Sequence, residues 1–199
     1  SRRLLIVWSQ VRILPGELDR ILIMLDLDLF KVTIYKIKIT EWQEHKSRIL
    51  SLVPFDKEKY HYGTLSYSDY FSEDKHSYES EILNLIKPYM KEFEQIYTIS
   101  EYSNVWCQGY VNSDWHEPHN HGCYGHSCIF YAHFDSESHP PTEFVSPFPS
   151  ISGDIEGLRP PVEEGDLIIF PSMLVHTAPP SGSDKERIIF SFNIKTMPL

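Results

Sequence analysis

Between positions 30 and 39 the apolar residues Val32, Ile34, Ile37 and Ile39 alternate with polar ones, interrupted once at Tyr35-Lys36. That period predicts a strand with one polar face. Thr40 then stands as an N-cap. Trp42, Ile49, Leu50 and Val53 lay a modest helix over 41–53, closed by Pro54. The stretch 55–77, rich in Tyr, Ser and Asp, reads as a long irregular connection. Over 80–97, Ile82, Leu83, Leu85, Ile86, Tyr89, Met90, Phe93 and Ile96 fall at i, i+3, i+4 and i+7 spacing, which gives a helix one apolar face. Pro88 removes a donor inside that pattern and is expected to kink or divide it.

From Thr98 the pattern changes to short apolar runs broken by Pro and Gly. Strands are expected over 105–112, 127–134, 143–145, 166–170 and 187–195. Helices followed by a run of short antiparallel strands predict a mainly β fold with flanking helices, a sandwich or barrel buttressed on one side. The 199 residues suit a single domain. Residues 1–28 form an N-terminal extension, 29–97 a strand with supporting helices, and 98–199 the β core.

Composition adds exclusions. Hydrophobic residues at 41% and charged residues at 23% are a globular balance. Eighteen basic against 28 acidic residues leave a net charge of −10, which repels phosphate backbones and argues against nucleic acid as a partner. A small molecule or a peptide, basic in either case, is accommodated more easily. Cys107, Cys123 and Cys128 are an odd number without a CxxC pair. They read as free thiols of a reducing, cytoplasmic compartment. No run approaches the ~18 apolar residues of a membrane helix, so no membrane is expected. The apolar run after Ser1-Arg2-Arg3 is too short for a secretory signal, and Gln10 and Arg12 interrupt it. Nothing in the sequence reports oligomeric state.

Six of the ten histidines lie between His116 and His139, and any one of them taken alone is more often structural than a ligand. Spacing narrows the choice. In His116-Glu117-Pro118-His119-Asn120-His121, residues 119 and 121 point to one side of an extended backbone. Two imidazoles so placed can converge on one ion at about 2.0–2.2 Å. His176, just after the second long apolar run, is the candidate third ligand. A zinc site built from the cysteines lacks the closely spaced pairs such sites use. No Gly-rich phosphate loop is present.

The run Gly165-Asp166-Leu167-Ile168-Ile169-Phe170-Pro171-Ser172, then His176, then Arg187-Ile188-Ile189-Phe190-Ser191-Phe192-Asn193, resembles the C-terminal half of the 2-oxoglutarate/Fe(II)-dependent oxygenases. Gln108-Gly109-Tyr110, Pro118-His119-Asn120-His121 and Cys128-Ile129-Phe130-Tyr131 resemble the matching N-terminal half. The resemblance is to the small bacterial and phage branch related to prolyl hydroxylases, and it covers roughly 105–196. It implies a double-stranded β-helix (a jelly-roll, cupin-like core) with Fe(II) at one open end and 2-oxoglutarate as cosubstrate. The metal ligands would be His119, His176 and, where the family carries a carboxylate, His121. Glu117 and Asp135 remain alternatives for that carboxylate.

The resemblance also implies a cation for the far carboxylate of 2-oxoglutarate, and Arg187 occupies that place. Tyr131, Ser191 and Tyr110 are the further candidates around it. The implied activity is hydroxylase-type oxidation of an unidentified substrate, with a peptidyl side chain as the candidate by analogy. Two rivals share the barrel: a cupin-like three-histidine dioxygenase or isomerase without 2-oxoglutarate, and a non-catalytic ligand-binding jelly roll.

Overall fold

The computed structural model describes residues 32–199, and one compact unit spans Thr33–Leu199. The extension over 1–28 and the start of the expected first strand lie outside the described residues. In that unit the alternating segment narrows to β1 (Tyr35–Lys38). The first helix, α1, runs Trp42–Leu50, with Glu41 rather than Thr40 at the N-cap. Thr40 instead shares a hydrogen bond of 2.9 Å with Tyr89. The connection holds a two-residue strand, β2 (Tyr67–Ser68). Helix α2 (Ser77–Ile86) begins three residues before the expected 80, because the His76 side chain and Glu79 cap it reciprocally. Pro88 ends the α-helical hydrogen bonding as expected. The apolar face continues through two 3₁₀ turns, Lys87–Lys91 and Phe93–Gln95.

The expected strands are all present: β4 (Trp106–Asn112), β6 (His126–His133), β7 (Glu143–Pro149), β9 (Asp166–Pro171) and β11 (Ser183–Pro198). Besides β2, four more were not predicted: β3 (Tyr97–Tyr102), β5 (His116–His119), β8 (Ile155–Leu158) and β10 (His176–Ala178). These are short, or carry too many polar residues for their period to register.

The strands form two antiparallel sheets. The larger has the order β1-β9-β6-β11-β4-β2, with β3 pairing on the far end of β11. The smaller has the order β5-β10-β7-β8. The two hydrogen-bonded ladders stay separate, so of the expected sandwich or barrel it is two layered sheets that are seen, without closure into one barrel. The fold is strand-dominated with flanking helices, in keeping with a cupin or jelly-roll-like core.

Period-two alternation assigns the layers. On β6, Cys128, Phe130 and Ala132 pack with α1 and α2, and on β11 Ile188, Phe190, Phe192 and Ile194 do the same. The intervening Ile129, Tyr131 and Ile189 pack with Ile168, Phe170 and Phe144, on the side of the smaller sheet. Both faces of the large sheet are therefore covered, which is why its central strands read as nearly continuous apolar runs. Trp42 secures the helical layer: its ring meets Phe130 edge-on at 4.8 Å and its Nε1 donates to the Ala132 carbonyl at 2.9 Å.

Candidate metal centre

The register of the smaller sheet sets the site. β10 pairs antiparallel with β5 so that His176 lies directly opposite His119. Residues opposite one another project to the same face, and their rings stand 4.4 Å apart between centroids. His121 lies beyond the end of β5, so strand alternation does not place it. A backbone hydrogen bond from its N–H to the Ser172 carbonyl at 2.8 Å does. Ser172 in turn donates its N–H to Gly125 at 3.1 Å, tying the 120–125 loop to the turn after β9. Gly125 has φ +78°, and a Cβ there would lie 2.3 Å from the Ile194 carbonyl oxygen, so that loop needs glycine.

His121 completes the group, with its ring 5.1 Å from His119 and 5.2 Å from His176. One ring nitrogen from each of the three lies within 4.8 Å of the others. Two nitrogens about 2.0–2.2 Å from one ion stand at most about 4.4 Å apart, so a small inward movement brings the set to ligand distance. Hydrogen bonds orient two of the rings. His119 Nδ1 meets the Glu117 carbonyl at 2.7 Å and His176 Nδ1 meets the Leu174 carbonyl at 3.0 Å. A carbonyl only accepts, so each Nδ1 carries a proton, and in the neutral ring this leaves Nε2 as the lone-pair nitrogen, the arrangement a metal-ligating imidazole needs. Burial pushes the pKa of His176 down to about 3 and that of His121 to about 4, so both are neutral at pH 7. The donor set thus fits a divalent transition metal, with nitrogen ligands suited to iron among others.

These rings line a cavity of ≈ 150 Å³. Trp106, Gln108 and Tyr110 from β4, Ile189 and Ser191 from β11, and Thr142 form further walls, with Tyr62 and Tyr70 also contributing. Among the residues expected from the sequence, Tyr110 and Ser191 line this cavity. Ser191 uses its hydroxyl to donate to Gln108 Oε1 at 3.3 Å. Tyr131 and Arg187 are not in its wall. The Tyr131 hydroxyl donates to Thr142 Oγ1 at 2.9 Å. Arg187 is buried; Nη1 donates to the Pro140 carbonyl at 2.7 Å and Nη2 to that of Pro179 at 3.3 Å. Its guanidinium carbon stands 4.1 Å from the Tyr110 ring centroid. No carboxylate among the described residues forms an ion pair with it. Of the alternative carboxylates, Asp135 pairs with Lys185 at 2.5 Å. Glu117 lines the cavity but is outside the three-histidine group.

Sequence reasoning passed over His116, Gln108 and Thr142. His116 belonged to the singled-out segment, yet its spacing from His119 gave no reason to place it in the cavity. Its position comes from pairing with Ala178 across β5 and β10. Gln108 could have been found by alternation, since it shares the inner face of β4 with Trp106 and Tyr110.

Residues 104–193 match the protein-family model described as "Putative 2OG-Fe(II) oxygenase". No curated protein matches the chain. Solved structures with a similar fold include a viral collagen prolyl hydroxylase from Paramecium Bursaria Chlorella virus-1, in complex with 2OG (TM-score 0.53, 14% identity, 81% of this chain and 94% of that one). A Pseudomonas putida prolyl-4-hydroxylase aligns with a TM-score of 0.55 at 11% identity, over 81% of this chain and 91% of that one. A Trichoplax adhaerens prolyl hydroxylase, in complex with a hypoxia inducible factor peptide fragment, gives 0.56 at 9% identity, over 81% and 83%. At these identities the likeness is one of fold. The family match covers a little under half of the chain, and over 104–193 the sequence is similar to the 2OG-Fe(II) oxygenases.

Proposed function

We propose that this chain is an iron(II)-dependent oxygenase whose metal is held by His119, His121 and His176 at the end of a double-stranded β-helix. The observation that carries the reading is the convergence of those three imidazoles, two of them with Nε2 freed by a carbonyl bond to Nδ1. Bound iron would supply the activation of dioxygen. The protein's part is to hold the three rings, leave the cavity side open to small ligands, and line it with Trp106, Ile189 and Ile129 against bulk water.

Two readings of the cosubstrate differ in the role of Arg187. In the first, the three-histidine centre works without 2-oxoglutarate, as a cupin-like dioxygenase would. A histidine stands where the family carries a carboxylate, and the Arg187 guanidinium is engaged by two proline carbonyls outside the cavity wall. The direct geometry favours this reading. In the second, 2-oxoglutarate binds and Arg187 pairs with its far carboxylate, with Tyr110, Tyr131 and Ser191 around it. Here the support is a buried cation with no carboxylate partner among the described residues, an arrangement that favours an anionic ligand.

Anaerobic titration of the iron-loaded protein with 2-oxoglutarate, followed by a succinate assay under air, separates them. The first reading expects iron binding, no 2-oxoglutarate affinity and no succinate. The second expects binding that Arg187→Ala weakens by at least about tenfold, as for loss of a charge-assisted pair. A protein that takes up no iron would instead be a ligand-binding jelly roll. A small molecule or a peptide remains the substrate class for either catalytic reading.

A further inference from the structure

The fourth histidine of the cavity is held in the opposite sense to His119 and His176. His116 Nδ1 faces the amide nitrogen of Gln108 at 3.3 Å, and Gln108 Oε1 accepts from Ser191 Oγ at 3.3 Å. An amide N–H₂ only donates, so His116 Nδ1 is the acceptor and the ring proton sits on Nε2. That Nε2–H has no protein partner among the described residues, although the ring is in the cavity wall, 4.1 Å between centroids from His119. The backbone beneath it is fixed on both sides: Thr177 Oγ1 donates to the His116 carbonyl at 2.5 Å, and Ala178 is its strand partner.

We propose that His116 is the cavity's fixed hydrogen-bond donor to a small oxygen- or nitrogen-bearing ligand on the metal, with Gln108 and Ser191 as positioning residues. The inference rests on the three-histidine reading of the centre and adds a residue to it. His119 and His176 turn lone pairs towards the metal, whereas His116 supplies a proton donor beside it. The relay from β11 through β4 to β5 fixes which nitrogen carries that proton. Its members come from three different strands, and the two sheets must meet for it to form.

Two measurements test this. In the metal-free protein, long-range proton–nitrogen NMR of ¹⁵N-histidine reports each tautomer directly. His116 is expected in the Nε2–H form and His119 and His176 in the Nδ1–H form. Gln108→Leu should erase the preference at His116 alone. An Nδ1–H form at His116 in the unsubstituted protein would overturn the proposal, with or without metal binding.

The second measurement uses cobalt(II) in place of iron and titrates azide against the visible absorption of the metal. His116→Phe is expected to weaken azide binding about tenfold, the size of one hydrogen bond to an anion. His116→Gln, which keeps an N–H donor, should recover part of that loss, and cobalt affinity should hold in both. Unchanged azide affinity in His116→Phe would overturn the donor role. A fall in cobalt affinity as large as that in His119→Ala would make His116 a ligand and overturn it equally. Failure of the unsubstituted protein to bind cobalt would sink the metal reading and the ligand contact with it, while the NMR result would still stand or fall on its own.

Discussion

His119 and His176 face each other across two short strands, and His121 joins them from a loop pinned to Ser172. This difference in anchoring separates the effects of substitution. His119→Ala and His176→Ala remove proposed ligands held on hydrogen-bonded backbone. They are expected to lower metal affinity by more than the ~100-fold typical of supporting contacts. His121→Asp supplies the carboxylate that the sequence resemblance implies at this position and should keep metal binding, whereas His121→Ala should weaken it; isothermal titration with iron(II) or cobalt(II) reads both. Equal affinity in the unsubstituted protein and His121→Ala would remove His121 from the set. At this scale the sequence was informative about which histidines come together, because the His-x-His spacing and the distant His176 are local signals. The reach of Arg187 was not legible. Its guanidinium is engaged by the carbonyls of Pro140 and Pro179, which come from loops no periodicity describes.

Among the elements, β11 is the spine of the large sheet, pairing with β6, β4 and β3 along its length. Where the 120–125 loop crosses it, Gly125 allows the backbone to pass the Ile194 carbonyl. Gly125→Ala imposes both a left-handed φ and a clash with that oxygen. It should cost about 1–3 kcal/mol, a drop of roughly 3–10 °C in Tm. Because this loop carries His121, metal affinity should fall with stability, and calorimetry with and without metal would show both. Strong periodicity made the helices and the five long strands readable. The three short strands β5, β8 and β10 were invisible, since β5 is His-Glu-Pro-His and β10 only three residues long. The pairing of β5 with β10 is nonetheless what builds the site, a long-range register that neither segment encodes alone.

For the whole molecule, the buried and half-buried histidines link stability to pH. His116, His121 and His176 have pKa values lowered to about 4, 4 and 3 by burial, and His126 and His139 are lowered for the same reason. Each folded value lies below the ordinary ~6.5 of an unfolded histidine, so between those limits the unfolded chain binds more protons. The metal-free protein should therefore lose stability progressively as pH falls below about 6.5. His176→Gln should flatten that slope in thermal melts from pH 7 to pH 5. An unchanged midpoint across that range would contradict the buried, neutral histidines. The layered fold itself was legible from period-two alternation. That its two ladders stay separate was not, because closure depends on how the sheets meet rather than on any one strand.

The central claim, one metal on three histidines, is tested most directly by iron content. Chelator-treated protein is reconstituted with iron(II) without air, desalted, and measured by mass spectrometry beside His119→Ala, His121→Ala, His176→Ala and His116→Phe. About one iron per chain is expected in the unsubstituted protein and in His116→Phe, and little in the other three. No iron in the unsubstituted protein, or full iron in any of those three, would contradict it.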